Sequence, residues 1–215
     1  MLESRPVDLP AAGAAGLAPM MRDGALRAAG ALSEMSGRCI ETRSISLRAV
    51  PLADLPLVAG DPERPVVAVH LGVQEPHGGH ILLALSEQMA LRLVDMLLAQ
   101  PAGTTTSLDE MEVSALAETG NVAGAAFLTA LADRARVILP PTPPLVFHEM
   151  CGAILQTLAA ELALSEQRDA VVVETEFTCD DESVDVAFFL FPAPEMVRAV
   201  ASGLVEGSDD ACSRD

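Results

Sequence analysis

Apolar positions along this chain change their spacing in a fixed order, and the order occurs twice. Val66 opens a β-branched run, followed by the turn-rich QEPHGG, a second apolar run (HILLALS) and an amphipathic stretch through Met89. Val171 opens the same succession: VVVETEFTC, the polar DDES, VDVAFFLF, then an amphipathic stretch through Met196. Short apolar runs bounded by turn residues read as strands, and the 3.6-residue spacing that follows reads as a helix. Each block therefore predicts strand, hairpin, strand and helix, with Met89 and Met196 in equivalent places 107 residues apart.

A second matching pair lies upstream of these blocks. One member is DGALRAAGALSEMSGRCIETRSISLRAVP, from Asp23 to Pro51; the other is SALAETGNVAGAAFLTALADRARVILPPTP, from Ser114 to Pro143. Each predicts an amphipathic helix, a strand and then proline. The offset here is 91 residues, so the second half must carry an insertion of 16 (107 minus 91). HEMCGAILQTLAAELALSEQ, from His148 to Gln167, has helical spacing and supplies it, where the first half has only the Pro-broken PLADLPLVAGDPERP.

The predicted plan is an α+β fold. A tandem pseudo-two-fold repeat of helix–strand–connection–strand–strand–helix shares one roughly six-stranded sheet, with about five helices in all. Neither half buries its apolar face alone, so residues 22–205 are expected to form one domain, with a first half at 22–100 and a second at 106–205. Residues 1–21, apolar but interrupted by Pro and Gly, are expected as a flexible arm, and 206–215 as an acidic tail. The arm has neither the basic cluster of a signal peptide nor an apolar run of about 20 residues.

On a helical wheel, Val113, Leu116, Gly120, Gly124, Phe127 and Leu131 fall within one arc, the expected core face. Two glycines in a helix interior cost about 1 kcal/mol each relative to alanine. Close approach to the sheet or to the twin helix would account for both. Ser114, Glu118 and Asn121 stack on a different, narrow arc at i, i+4 and i+7. This stripe puts a carboxylate beside a carboxamide and a hydroxyl, either as an ordinary solvated face or as a site.

Composition narrows the partners. Half of the 215 residues are hydrophobic and the mean hydropathy is +0.35, enough for one sizeable core. Acidic residues number 31 against 13 basic ones, all of them Arg, for a net charge of −18. Such a chain is expected to repel nucleic acid and anionic membranes and to suit a cationic partner face, although acidity also serves solubility, including at high salt. Cys39, Cys151, Cys179 and Cys212 are far apart and form no CxxC pair, which points to free thiols in a reducing cytoplasm. EPHGGH, from Glu75 to His80, offers two histidines and a carboxylate, but Gly78 and Gly79 read as a tight turn and no metal site is expected. His148, Glu149 and Cys151 read as the edge or cap of the inserted helix. No GxSxG, Walker A or dinucleotide-binding glycine pattern occurs, and six Phe without Trp or Tyr make no stacking platform for single strands.

The arrangement Ser114-x3-Glu118-x2-Asn121, then 21 residues and Pro143, closely resembles the signature of the CheC/CheX/FliY phosphatases of bacterial and archaeal chemotaxis. LDEMEVSALAETGNVAGAAFLTAL and PPTPPLVFHEMCGAIL share the resemblance, which covers roughly residues 22–205, and the tandem plan is similar to CheC-type members. The resemblance implies a hydrolase acting on the aspartyl phosphate of the response regulator CheY, which brings its own Mg²⁺ and lysine, so that the chain needs no cofactor of its own. It implies that Asn121 orients a water, Glu118 pairs with the regulator's lysine, Ser114 supports the stripe and Pro143 shapes the strand entry. The first half departs from the signature: Asp23 fits, but Arg27 replaces the glutamate and Gly30 the asparagine, and Pro51 follows Gly30 by 21 positions rather than 22. One surviving site is therefore expected. The alternative is a CheC-like adaptor that binds CheY or CheD, a receptor-modifying deamidase, without catalysis.

Overall fold

Alternation along the strands sorts the side chains into two layers. The computed structural model describes residues 11–164, 168–179 and 182–209. Its first half runs α1 (Ala11–Ser36), β1 (Ile40–Pro51), a 3-10 turn (Leu52–Leu57), β2 (Pro65–Gly72), β3 (Gly79–Ser86) and α2 (Glu87–Leu97). Its second runs α3 (Glu110–Ala135), β4 (Leu145–Met150), α4 (Cys151–Leu164), β5 (Asp169–Cys179), β6 (Glu182–Pro192) and α5 (Pro194–Asp209). Val67, Val69 and Leu71 of β2 and Ile81, Leu83 and Leu85 of β3 face one layer, packed with Leu116, Phe127 and Leu131 of α3. Val66, Ala68, Leu82 and Ala84 face the other, under Leu55 of the 3-10 turn and Leu155, Leu158 and Leu162 of α4. Burying each such Leu or Phe side chain is worth about 1.5–3 kcal/mol.

All six strands lie in one antiparallel sheet, in the order β1-β5-β6-β3-β2-β4. Exchanging each first-half strand for its second-half counterpart (β1 with β4, β2 with β5, β3 with β6) reverses this order onto itself. The β2–β3 hairpin turns at Gly78 and Gly79, whose φ angles are +64° and +127°. A Cβ on Gly79 would stand 3.0 Å from the Phe191 carbonyl oxygen, so glycine is needed there on both counts.

Four expectations change. Residues 11–21, assigned to a flexible arm, belong to α1, with Met20 and Met21 buried in the helix-side core. Alanine-rich sequence favours helix, and this burial outweighs Pro19, which lies within the helix. Residues 1–10 of that arm lie outside the described residues. The strand expected in RVILPP does not form: residues 137–140 have no ladder, Pro141 makes only an isolated bridge to Val73, and β4 begins at Leu145. Prolines at 140, 141, 143 and 144 lack the N–H groups a ladder needs, so pairing starts beyond them. His148 and Glu149 consequently belong to β4, where they pair with Val67 and Val66, and the inserted helix starts at Cys151 rather than His148. Finally, α5 continues to Asp209, taking in part of the stretch assigned to the acidic tail; residues 210–215 lie outside the described residues.

Candidate active site on the long helix of the second half

Helix α3 is held at its start and pressed onto the sheet along its middle. The Asp109 backbone N–H donates to the Glu112 carboxylate at 3.1 Å, closing the first turn, and the chain leaves the helix at Arg136 in a left-handed conformation. Leading into that start, buried Asp95 at the end of α2 accepts backbone N–H bonds from Gly103 (2.6 Å), Thr104 (3.2 Å) and Thr105 (2.8 Å). Hydrogen bonding, first from Thr105, holds the Asp95 carboxyl below its ordinary range despite burial. Sequence patterning gave no sign of this role, because a single Asp at the end of an amphipathic helix looks like surface.

Leu116, Gly120, Gly124, Phe127 and Leu131 are buried as the wheel predicts, while Val113 is only half-buried. The two glycines are not equivalent. A Cβ on Gly120 would stand 2.8 Å from Val69 Cβ and closer still to Val69 Cγ1, so alanine does not fit without movement of β2. On Gly124 a Cβ would come no closer than 3.4 Å to Leu71, an ordinary contact. Close approach thus explains Gly120 and leaves Gly124 without a packing requirement, which corrects the expectation made for both. By length and composition α3 could cross a bilayer, but half of its most apolar window is buried inside the fold.

The open side of α3 carries the stripe. Ser114 and Glu118 are exposed and Asn121 is half-buried, one helical turn apart along the same face. The Asn121 amide Nδ2 donates to Glu118 Oε2 at 3.4 Å, a long bond that sets the two polar ends side by side at the surface. Pro143 lies outside this pair, exposed and two residues before β4. Its neighbour Thr142 donates its backbone N–H to the Gly72 carbonyl at 2.8 Å and accepts the Gly72 N–H at 2.8 Å, tying the proline-rich segment to the end of β2.

The corresponding positions on α1 are engaged differently. Arg27 donates to the Asp133 carboxylate at 2.8 Å, and Arg134 reaches Asp23 at 2.6 Å, so two ion pairs join α1 to the last turn of α3. Gly24 supports the contact, since a Cβ there would stand 2.9 Å from the Phe127 ring. Gly30 is exposed, with nothing within 4 Å of where a Cβ would be. Asp133 and Arg134 escaped sequence reading because no periodicity reports which helix ends meet.

On the opposite face of the sheet, His70 Nε2 and His80 Nδ1 lie 3.1 Å apart with stacked rings. Burial, and for His70 also the proximity of His80, lowers both imidazoles below the ordinary histidine value. Among the described residues no group of three His, Cys, Asp or Glu side chains is placed to hold a metal ion.

A single antiparallel sheet, two long helices on one face and a Glu-x2-Asn stripe on the outer side of one of them define a CheC-like fold. No family model matches the chain. It is 26% identical over 174 residues to the CheY-P phosphatase CheC of Bacillus subtilis (strain 168), covering 80% of this chain and 83% of that protein. Among solved structures it is similar to Thermotoga maritima FliY, with a TM-score of 0.69 at 18% identity over 94% of this chain and 99% of that one. The FliM middle domain of H. pylori superposes with a TM-score of 0.64 at 12% identity, covering 91% and 99%. CheX in a CheX–CheY–BeF3–Mg²⁺ complex from Borrelia burgdorferi gives 0.51 at 18% identity, covering 81% and 96%. These structural likenesses establish the fold, and the CheC relative adds sequence similarity over most of the chain.

Proposed function

We propose that this protein dephosphorylates the aspartyl phosphate of a CheY-type response regulator through the α3 stripe. The observation that carries the reading is the Glu118–Asn121 pair, two polar side chains held together on the outer face of a helix whose inner face is fixed to the sheet. Phosphoryl transfer through a loose transition state needs positioning and charge stabilisation more than covalent help from the protein. The Asn121 carboxamide has a donor and an acceptor on one rigid group, suited to holding a water in line with phosphorus. Glu118 is an exposed carboxylate at the same surface, suited to pair with a lysine of the regulator and set the docking register. Ser114 extends the stripe by one turn, and Pro143 fixes the chain path into β4. The Mg²⁺ required by the chemistry would arrive with the regulator. Support from relatives lies in the name of the Bacillus protein and in the CheX–CheY complex.

The first-half stripe is inactive in this reading. Arg27 is turned into an ion pair with Asp133, and Gly30 has no side chain with which to hold water. A second reading, a docking protein for CheY or CheD without catalysis, draws on the same loss. Mixing the protein with phosphorylated CheY and Mg²⁺ separates the two. Phosphate release faster than the regulator's own hydrolysis is expected; binding without acceleration would leave only the docking reading.

A further inference from the structure

The inserted helix α4 has no part in the proposed chemistry, yet it walls a cleft. The cleft is about 410 Å³ and lies between α4 and the edge strand β4, across the sheet from α3. Strand register constructs its floor. His70 of β2 is paired with Leu82 on one side and Leu145 on the other, and Phe147 and Glu149 follow Leu145 on the same face. The roof is one stripe of α4, with Ile154, Leu158 and Glu161 at i, i+4 and i+7. Leu145 and Phe147 remain 56% and 38% exposed at the rim, a large apolar surface for a chain of this charge.

The lining has one electrostatic sign. It contains the carboxylates of Glu149 and Glu161 and no Arg. His70, packed on His80 and 6.4 Å from the Phe147 ring centroid, is a polar group in a mostly apolar floor. Burial keeps its imidazole uncharged at neutral pH, so the carboxylates alone set the sign. A cleft of this volume, apolar with a few convergent polar groups, has the size and character of a small-molecule site. The Phe147 face adds attraction for a cation. Neither the first half, which has only the 3-10 turn here, nor the stripe on α3 requires such a cleft.

We infer that the cleft between β4 and α4 binds a free organic cation with an apolar body, its charged end at Glu161 near His70 and its body against Leu82, Phe147 and Leu158. Phenethylammonium is a suitable probe, with phenethyl alcohol as its neutral counterpart and phenylacetate as its anionic one. Titrated into the full chain and followed by amide NMR shifts, the amine is expected to saturate, with changes concentrated in β4 and α4. An exposed carboxylate and one aromatic face together give about a tenfold preference over the alcohol. The carboxylate probe is expected not to bind. Glu161→Gln should abolish the preference while leaving alcohol binding unchanged; the side chain is exposed, so the fold should persist. Equal binding of amine and alcohol, shifts centred on another face, absence of saturation at millimolar amine, or an unchanged preference in the Glu161→Gln variant would each overturn the inference.

Discussion

Replacing Gly120 by alanine should destabilise the protein, although helix propensity alone predicts the reverse. Alanine gains about 1 kcal/mol over glycine in a helix interior. Against this, the new Cβ would stand 2.8 Å from Val69 Cβ, an atom fixed to the backbone of a strand hydrogen-bonded on both sides. Overpacking of a close-packed core typically costs about 1–3 kcal/mol, and more where the neighbour cannot turn away. Because Val69 Cβ cannot turn away, the cost falls at the upper end and a net loss of roughly 1–2 kcal/mol is expected. Gly124→Ala is the internal control: its Cβ would meet Leu71 at 3.4 Å, so the helix gain survives and stability should rise by up to about 1 kcal/mol. Urea denaturation followed by circular dichroism measures both. Adding Val69→Ala to Gly120→Ala should recover part of the loss, with a coupling of about 0.5–3 kcal/mol. A Gly120→Ala protein as stable as wild type, or a double variant without coupling, would refute the close-approach account of this helix.

The remaining predictions concern the two stripes, the histidine pair and charge. Arg27→Glu with Gly30→Asn should rebuild the first stripe, since a Cβ on Gly30 meets nothing within 4 Å; phosphate release per chain should rise by up to about twofold if the sites act independently. Arg27→Ala should leave activity nearly unchanged and cost less than about 1 kcal/mol of stability, because its ion pair with Asp133 is half exposed; a large loss of activity would mean that the first half contributes to the site. His70 and His80 both titrate below the ordinary value of 6.5, so the unfolded chain takes up protons first as pH falls. Their contribution to stability is therefore full above about pH 6.5 and declines below it, until the folded pair also protonates; His70→Gln should flatten that decline in urea midpoints, and an unchanged slope would exclude the pair as its source. Association with a regulator through a lysine-bearing face should slow as ionic strength rises, since the chain carries a net charge of −18; a rate insensitive to salt in stopped-flow mixing would contradict electrostatic steering.

Much of this architecture was legible because its causes are periodic. The short apolar runs VVAVHLG and VVVETEFTC marked strands, and the offset of 16 located an inserted helix. The spacing of Ser114, Glu118 and Asn121 set them on one exposed face, as observed. What failed lacked a local cause. The start of α1 was hidden by Pro19 and two glycines, and only the burial of Met20 and Met21 makes a helix there worthwhile. RVILPP has strand composition, but prolines remove its donors and push the edge strand beyond them. The ion pairs of Asp23 and Arg27, the loop held by Asp95 and the His70–His80 contact join residues far apart or on different elements. None of these follows from spacing along one element.

Asn121→Ala tests the central claim most directly. The substitution removes the carboxamide from an exposed helix face and leaves Glu118 in place, so docking should be unaffected. With phosphorylated CheY and Mg²⁺, the expected result is a fall of about a hundredfold in catalysed phosphate release, the scale of a lost positioning group, with unchanged affinity for the regulator. Release as fast as wild type would contradict the assignment of the α3 stripe as the catalytic site.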